Sequence, residues 1–412
     1  MAKKLTKIPE SLDTLSEESV FGGDVVNAIR DFASVFEENA HTFFPEYTKH
    51  GISHVYEVLE TAENLITVDS WKIITPDDAA ILILATLLHD CAMHITEDGF
   101  RTLVQHDSTY EPLKYSNDKP WDELWEDFLV EAKRFDQRKL ISIFGDTTPV
   151  KTPNLDCPID MKGRDRMLIG EFLRRHHHRL AHEIAIYGVP GPEDERITLK
   201  VADSEMSNMA GLVARSHGMP LRDCVDYVRT TYDGTYICDL LHSVYLMVLL
   251  RISDYLQIQS QRAPKSVLLL KDIRSPLSQL EWKTHFGIKK VSDIHEFDKE
   301  AIFVRAQPDT SEMFLRTKRL LNDIQKELDT SWAVLGEVYS RIDENETRKL
   351  GITKRRIRSN IDNIDEFAKK VNYIPVKAAF DTVGPDLLKL LIKPLYGDRP
   401  EIGIRELLQN SV

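Results

Sequence analysis

Hydrophobic positions recur with a helical period over most of the chain. In "SHVYEVLETAENLI", residues 53–66, His54, Val58, Ala62 and Leu65 fall on one face. "TPDDAAILILATLLHD" predicts a helix with Thr75 as N-cap, Pro76 at its first position, and Asp77 and Asp78 against the positive end of its dipole. That helix is almost wholly apolar until it finishes on His89 and Asp90. Further helices are predicted over 164–187, 203–217 and 236–260, with Gly218 and Pro220 ending the second of these. Residues 100–165 are less periodic and rich in Trp, Pro and Asp; "YSNDKPWDELW" and "FGDTTPVKTPNLDCP" mark them as an insertion of short helices and loops. Between 281 and 308, "LEWKTHFGIKKVSDI" and "EAIFVRAQP" predict a small sheet. A long helix or helix pair follows over 311–346, capped by Asp309 or Thr310, with apolar positions at Leu320, Leu321, Ile324, Leu328, Leu335, Val338 and Ile342. "RKLGITKRRIRSN", residues 348–360, reads as a basic, solvated turn. The pattern therefore predicts a mainly α protein. It divides into a helical extension (1–40), a main helical domain (41–265), an α+β subdomain with a long helix (266–345), a basic turn and linker (346–380) and a C-terminal segment (381–412).

Composition adds exclusions. At 412 residues, 42% hydrophobic and 29% charged, the chain can bury a sizeable core. A net charge of −13 argues against nucleic acid as a partner. The start carries no apolar signal core. "LLHSVYLMVLLRISDYL", residues 240–256, is interrupted by His242, Arg251 and Asp254, which suits a buried helix rather than a membrane span. Four cysteines without a C-x-x-C pair point to a cytoplasmic chain with reduced thiols.

Candidate chemistry lies in short histidine motifs. "YTKHGISHVYEV" places His50 and His54 at i, i+4 near a helix start. "LLHDCAMH" gives His89, Asp90 and His94; "FLRRHHHRLAHE" gives His176, His177, His178 and His182. "ARSHGMP" puts His217 at a helix end, and "LLRISDYLQ" puts Asp254 in an apolar helix. Each has a plain reading as well. His217 can serve as a C-terminal cap. The 176–178 run, flanked by Arg174, Arg175 and Arg179, can be a basic surface. Asp254 can pair with Arg251 on its own helix. His94 can line the edge of a core. Imidazoles and carboxylates supported by packed helices are nevertheless a metal-ligand set, and their recurrence favours that reading.

In this order, H…HD…H…H…D on successive helices, the sequence resembles the HD superfamily of metal-dependent phosphohydrolases, most closely the HD-CE type. "HGISH", "LLHDCAMH" and "RISDYL" match its first, second and last motifs, and the resemblance spans roughly residues 41–260. It implies an HD-type helical bundle, with metal ligands at His54, His89, Asp90 and Asp254 and with Asp90 as the bridge if two ions bind. His177 and His217 then complete a second site, with His178 as the alternative to His177. Such ligands suit one or two divalent ions, Mn, Fe, Co, Ni or Zn, or Mg where oxygen predominates. A bound ion lowers the pKa of its water from ~15.7 towards ~7. Asp90 is thereby also a catalytic candidate, and Arg174, Arg179 and Lys49 are candidate cations for the phosphate charge.

The segment "DLLKLLIKPLYGDRPEIGIRELLQNSV" resembles the opening of a GHKL ATPase domain, the superfamily of heat-shock chaperones and gyrase. By that resemblance Glu406 matches the general base and Asn410 the residue that holds Mg²⁺ near the phosphates. No D-x-G-x-G motif or glycine-rich lid follows Asn410. The expectation is a truncated ATPase domain, with Mg-ATP bound only by a full-length relative and no ATP hydrolysis by this chain.

The expected function is a divalent-metal phosphohydrolase or phosphodiesterase acting on a nucleotide or related phosphate, normally coupled to the chaperone-like ATPase. The alternative is a non-catalytic HD-fold sensor controlling that ATPase. Expected partners are a phosphorylated small molecule, a second copy of the chain in a homodimer, and a protein client reached through the ATPase.

Overall fold

The computed structural model describes residues 8–375 except 39–41, 45–50, 107, 114–117, 156–160, 202, 233–236, 238–239, 259–275, 293–296 and 340–349, together with Arg405. The expectations for Lys49, His50, Glu406 and Asn410 therefore lie outside the described residues.

Helix α4 (Pro76–Leu88) is the centre of the molecule, and every residue from Asp78 to Leu88 is buried. An apolar sequence with no polar face has to be surrounded on all sides. Helices α1 (Glu10–Glu17), α2 (Gly22–Glu38), α3 (Ile52–Leu65), α8 (Gly163–Tyr187), α9 (Ser204–Ser216) and α11 (Ser243–Tyr255) supply that cover. Its start is built as the sequence predicts. The Thr75 hydroxyl accepts from the Asp78 amide at 3.1 Å, and the Asp78 carboxylate accepts from the Thr75 amide at 2.9 Å. Asp78 also accepts from the His242 amide and ring, each at 2.7 Å, so one carboxylate joins the start of α4 to the start of α11.

The insertion holds three short helices, α5 (Glu97–Val104), α6 (Trp121–Ala132) and α7 (Gln137–Phe144). Its aromatic residues are not loop decoration. Phe100, Trp125 and Phe172 meet edge to face with centroids 5.1–6.0 Å apart, fastening the insertion to α8.

Helices α8 and α9 pack tightly along each other, and Gly211 permits their close approach. A Cβ at Gly211 would lie 2.5 Å from His182 Cδ2 and 2.8 Å from Ala185 Cβ. Helix α10 (Leu221–Thr231) follows directly after the turn that ends α9.

Beyond α11 the expectation is corrected in two places. Residues 281–287, read from sequence as the start of the sheet, belong to helix α12 (Pro276–Gly287). The basic turn contains a strand, β3 (Arg356–Ser359), which the sequence reading missed. Strands β1 (Ile288–Ser292) and β2 (Ala301–Ala306) pair antiparallel, with Val291 opposite Val304. β2 pairs parallel with β3, with Ile302 opposite Ile357. A parallel pair needs a crossover, and α13 (Ser311–Tyr339) is that crossover, one continuous helix over its described length. Within the basic turn, Arg356 is matched by a carboxylate, forking onto Asp298 at 2.9 Å through Nε and Nη2. Leu350 and Ile352 are buried, and Ile352 bridges to Ile66 beside α3. A short helix, α14 (Ile364–Ala368), follows the sheet.

Helix α13 also packs on α10 and α11, and the Tyr339 hydroxyl accepts from the Tyr245 amide at 3.1 Å. No single helix among the described residues is long and apolar enough to cross a membrane.

Gly211→Val should wedge α8 from α9 and lower stability by about 1–3 kcal/mol, read as a lower thermal midpoint.

Candidate metal centre

Five helices bring their chemistry to one place. His54 is the third residue of α3. His89 is the C-cap of α4, and Asp90 follows where the chain tightens into a 3₁₀ turn over Cys91–His94. His177 projects from the middle of α8; His217 is the C-cap of α9; Asp254 is the penultimate residue of α11. Three helices thus end at the cluster. Their C-terminal carbonyls bias it towards positive charge.

Two groups form. His54, His89 and Asp254 present one ligand atom each within 4.8 Å of one another, and so do Asp90, His177 and His217. Asp90 stands between them: its Oδ2 is 3.2 Å from His89 Nε2 and 3.6 Å from His54 Nε2. Asp254 Oδ1 is 3.4 Å from His54 Nε2 and 3.8 Å from His89 Nε2. The His177 and His217 Nε2 atoms are 2.8 Å apart, and the rings of His89 and His217 are 5.4 Å apart.

The tautomers follow from backbone geometry. His89, His177 and His217 each set Nδ1 on the carbonyl three residues earlier, at 2.7, 2.8 and 2.6 Å, on Thr86, Arg174 and Ala214. A carbonyl only accepts, so each Nδ1 carries the proton and each Nε2 lone pair is left for the cluster. His89 Nε2 is buried without a hydrogen bond of its own. Two facing imidazole lone pairs at 2.8 Å with no shared proton repel unless a cation lies against both. The donor set, imidazoles plus two carboxylates, is that of a divalent transition-metal site.

Electrostatics agree with a place made for a cation. Burial lowers the His89 pKa, but Asp90 and Asp254 outweigh it and raise it to about 9. Burial raises the Asp254 carboxyl, yet the contacts from His54 and His89 hold it well below the usual carboxylate range. His217, pushed down to about 3 by burial and by His177 and His89, is neutral.

The 176–178 run divides into three environments, none of them the basic surface that the sequence also allowed. His176 lies against Phe172 and Trp121, and burial followed by Arg179 and Arg175 lowers it to about 4. His177 faces His217. The His178 ring packs on the backbone of Gly218, where a Cβ would meet its Cγ at 2.4 Å, and burial with His177 pushes it down to about 2. His94 is buried with its ring 4.8 Å from Phe36. The Cys91 thiol is buried on the Leu87 carbonyl, 3.1 Å away.

The candidate cations are placed differently from the ligands. Arg179 is 3% exposed, bound to Glu183 at 2.7 Å and near Asp118 at 3.7 Å, with its guanidinium 4.5 Å from the Trp121 ring centre. Those partners make it a buried structural cation and leave it poorly placed to grip a phosphate. Burial raises the Glu183 carboxyl to about 7 against the pull of Arg179. Arg174 lies 3.5 Å from Glu171 and over the Phe44 ring. Asp118 and Arg215, forked together at 2.7 and 2.9 Å, are further buried charges of this seam that the sequence reading did not single out. Nothing in the spacing of residues 97 positions apart signals such a pair.

Arg251 does not make the alternative pairing with Asp254 that their spacing on one helix allowed. It turns away from the cluster to Glu327 on α13 and to the carbonyls of Ser216 and Met219. Asp254 is thereby left to the histidines.

A helical domain with paired His/Asp groups at the ends of its core helices is an HD-type domain, and the groups fit a divalent metal. The model of the HD-CE family matches residues 44–330, so the chain belongs to the HD-CE family. That match runs through α12 and the β1–β2 pair and into α13, and it stops before residues 381–412. No curated protein and no solved structure matches the chain.

His89→Ala and Asp90→Ala should each abolish divalent-metal retention in elemental analysis while the helical circular dichroism is unchanged. In metal-free protein the His89 interaction is fully present below about pH 6.5 and lost as pH rises through about 9. The thermal midpoint should therefore fall across that window, and His89→Asn should remove this component. Because an ion displaces the same proton, metal affinity should rise over that window.

Proposed function

We propose that this chain is a divalent-metal-dependent phosphohydrolase or phosphodiesterase acting on a nucleotide or a related phosphate. The observation that carries the reading is the pair of three-residue groups joined by Asp90, in a chain of the HD-CE family. His54, His89 and Asp254 would hold one ion, and Asp90, His177 and His217 a second, with Asp90 the residue shared between them. An ion held there supplies Lewis-acid stabilisation of a phosphoryl group and a competent water nucleophile at neutral pH. The protein's own part is to fix the ligands. Carbonyl-bound Nδ1 atoms hold His89, His177 and His217 in one tautomer and one ring orientation. Asp90 and Asp254 supply the negative charge that an incoming cation neutralises. Arg174, on the same face region of α8 as the 177–178 histidines, and Lys49, beside the first motif, are the candidates for the substrate's phosphate charge. Arg179, committed to Glu183 and Asp118, would act only as a structural cation of α8.

In a longer chain, Glu406 and Asn410 would begin a chaperone-like nucleotide site, and the hydrolase would act alongside it. That coupling rests on the resemblance of the C-terminal segment alone.

The test is elemental analysis of purified protein, followed by a screen of nucleotides, cyclic nucleotides and phosphomonoesters with added Mn²⁺. One or two equivalents of metal and phosphate release, both lost in the His89→Ala/Asp90→Ala double variant, are the expected result. Metal without turnover of any phosphate would favour a ligand sensor on the same fold. No metal after titration would sink the enzyme reading.

A further inference from the structure

Arg251 and Asp254 lie one helical turn apart on α11, and they have different partners. Asp254 enters the cluster. Arg251, 4% exposed, reaches the end of α9 instead. Its Nη1 donates to the Ser216 and Met219 carbonyls, which flank His217, and its Nε donates to Glu327. The carbonyls at a helix C-terminus have no partner within the helix, and where they turn sets where the next side chain points. Here they are gripped by one guanidinium, whose planar fork fixes direction as well as distance. His217 is then held from two sides: its Nδ1 sits on Ala214, and the carbonyls of Ser216 before it and Met219 two residues after it accept from Arg251.

Glu327 gives this grip its direction. It lies on α13, the crossover helix of the sheet, which contributes none of the six groups of the centre. Glu327 and the guanidinium are both largely shielded, with side chains 13% and 5% exposed. α13 also meets α10 on its outer side, where Glu337 receives Arg222 at 3.1 Å and Arg229 at 2.9 Å. The helix is thereby tied to both ends of the 216–222 segment.

We infer that Arg251 is a positioning residue for the His217 half of the metal centre, and that Glu327 sets its orientation from α13. The inference rests on the metal reading above. It makes α13 and its sheet a part of the metal centre rather than an appended unit. It also separates two roles on α11: Asp254 would hold an ion directly, and Arg251 acts only through His217.

A double-mutant cycle tests this, read by Mn²⁺ titration of the whole chain. Arg251→Lys keeps the charge and loses the fork. It should weaken Mn²⁺ binding by about 10–100-fold in the wild-type background, the usual size for a residue that orients a ligand. In a His217→Ala background, where His54, His89 and Asp254 remain, the same change should cost less than about twofold, because its target is gone. Glu327→Gln is the second variant, should Arg251→Lys fold poorly, and is expected to show the same background dependence with a smaller loss. Equal losses in both backgrounds would mean general destabilisation and would overturn the inference alone. So would undiminished affinity of both single variants in the wild-type background. A wild-type chain that takes up no Mn²⁺ would overturn the metal reading itself, and the inference with it.

Discussion

Two carboxylates held among buried imidazoles need a positive charge beside them, and the arrangement of the core follows from meeting that need. Asp90 is 9% exposed and His89 and His54 are at most 1% exposed, so bulk water screens this side of the site weakly. Three helices end there, and three histidines are turned by their own backbones so that Nε2 faces inwards. Without an ion, the charge is met by a proton on His89, which is why that imidazole is pulled up to about 9 against its burial. A divalent ion would meet it more fully and would remove the repulsion between His177 and His217.

Packing of the rest of the molecule serves the same end. α4 is apolar throughout because it lies in the middle, and being in the middle is what makes its last residue a rigid support. Gly211 lets α8 approach α9 closely enough for His177 and His217 to meet. The Asp78–His242 pair aligns the start of α11 with the start of α4, and therefore aligns Asp254 with His89 at their far ends. The buried ion pairs of Arg179, Asp118, Arg215 and Glu183 hold the seam behind the histidines. Removing one member of such a pair leaves an uncompensated buried charge, which is costly whatever the pair itself contributes.

Much of this was legible in the sequence because it is local. The cap at Thr75, the apolar run to Leu88, the end of α9 before Gly218 and the positions of α3 and α8 all follow from periodicity and capping, and the structure agrees to within a residue or two. The sheet was misjudged where β-branched and aromatic residues stand in α12, and β3 was hidden by its arginines. Strand pairing and salt bridging both depend on partners tens of residues away, which no local window contains. The C-terminal resemblance concerns residues outside those described.

The residue types of the centre and the elements that carry them were set by the sequence alone, since helical register decides which side chains a packed helix can offer. Tertiary structure alone decided which of three consecutive histidines faces His217, and that Arg251 grips the end of α9 and leaves Asp254 to the histidines. Consecutive residues on a helix point about 100° apart, so a neighbour's position selects among them. A long guanidinium stem reaches either way, and only the place of Glu327 on a distant helix settles which.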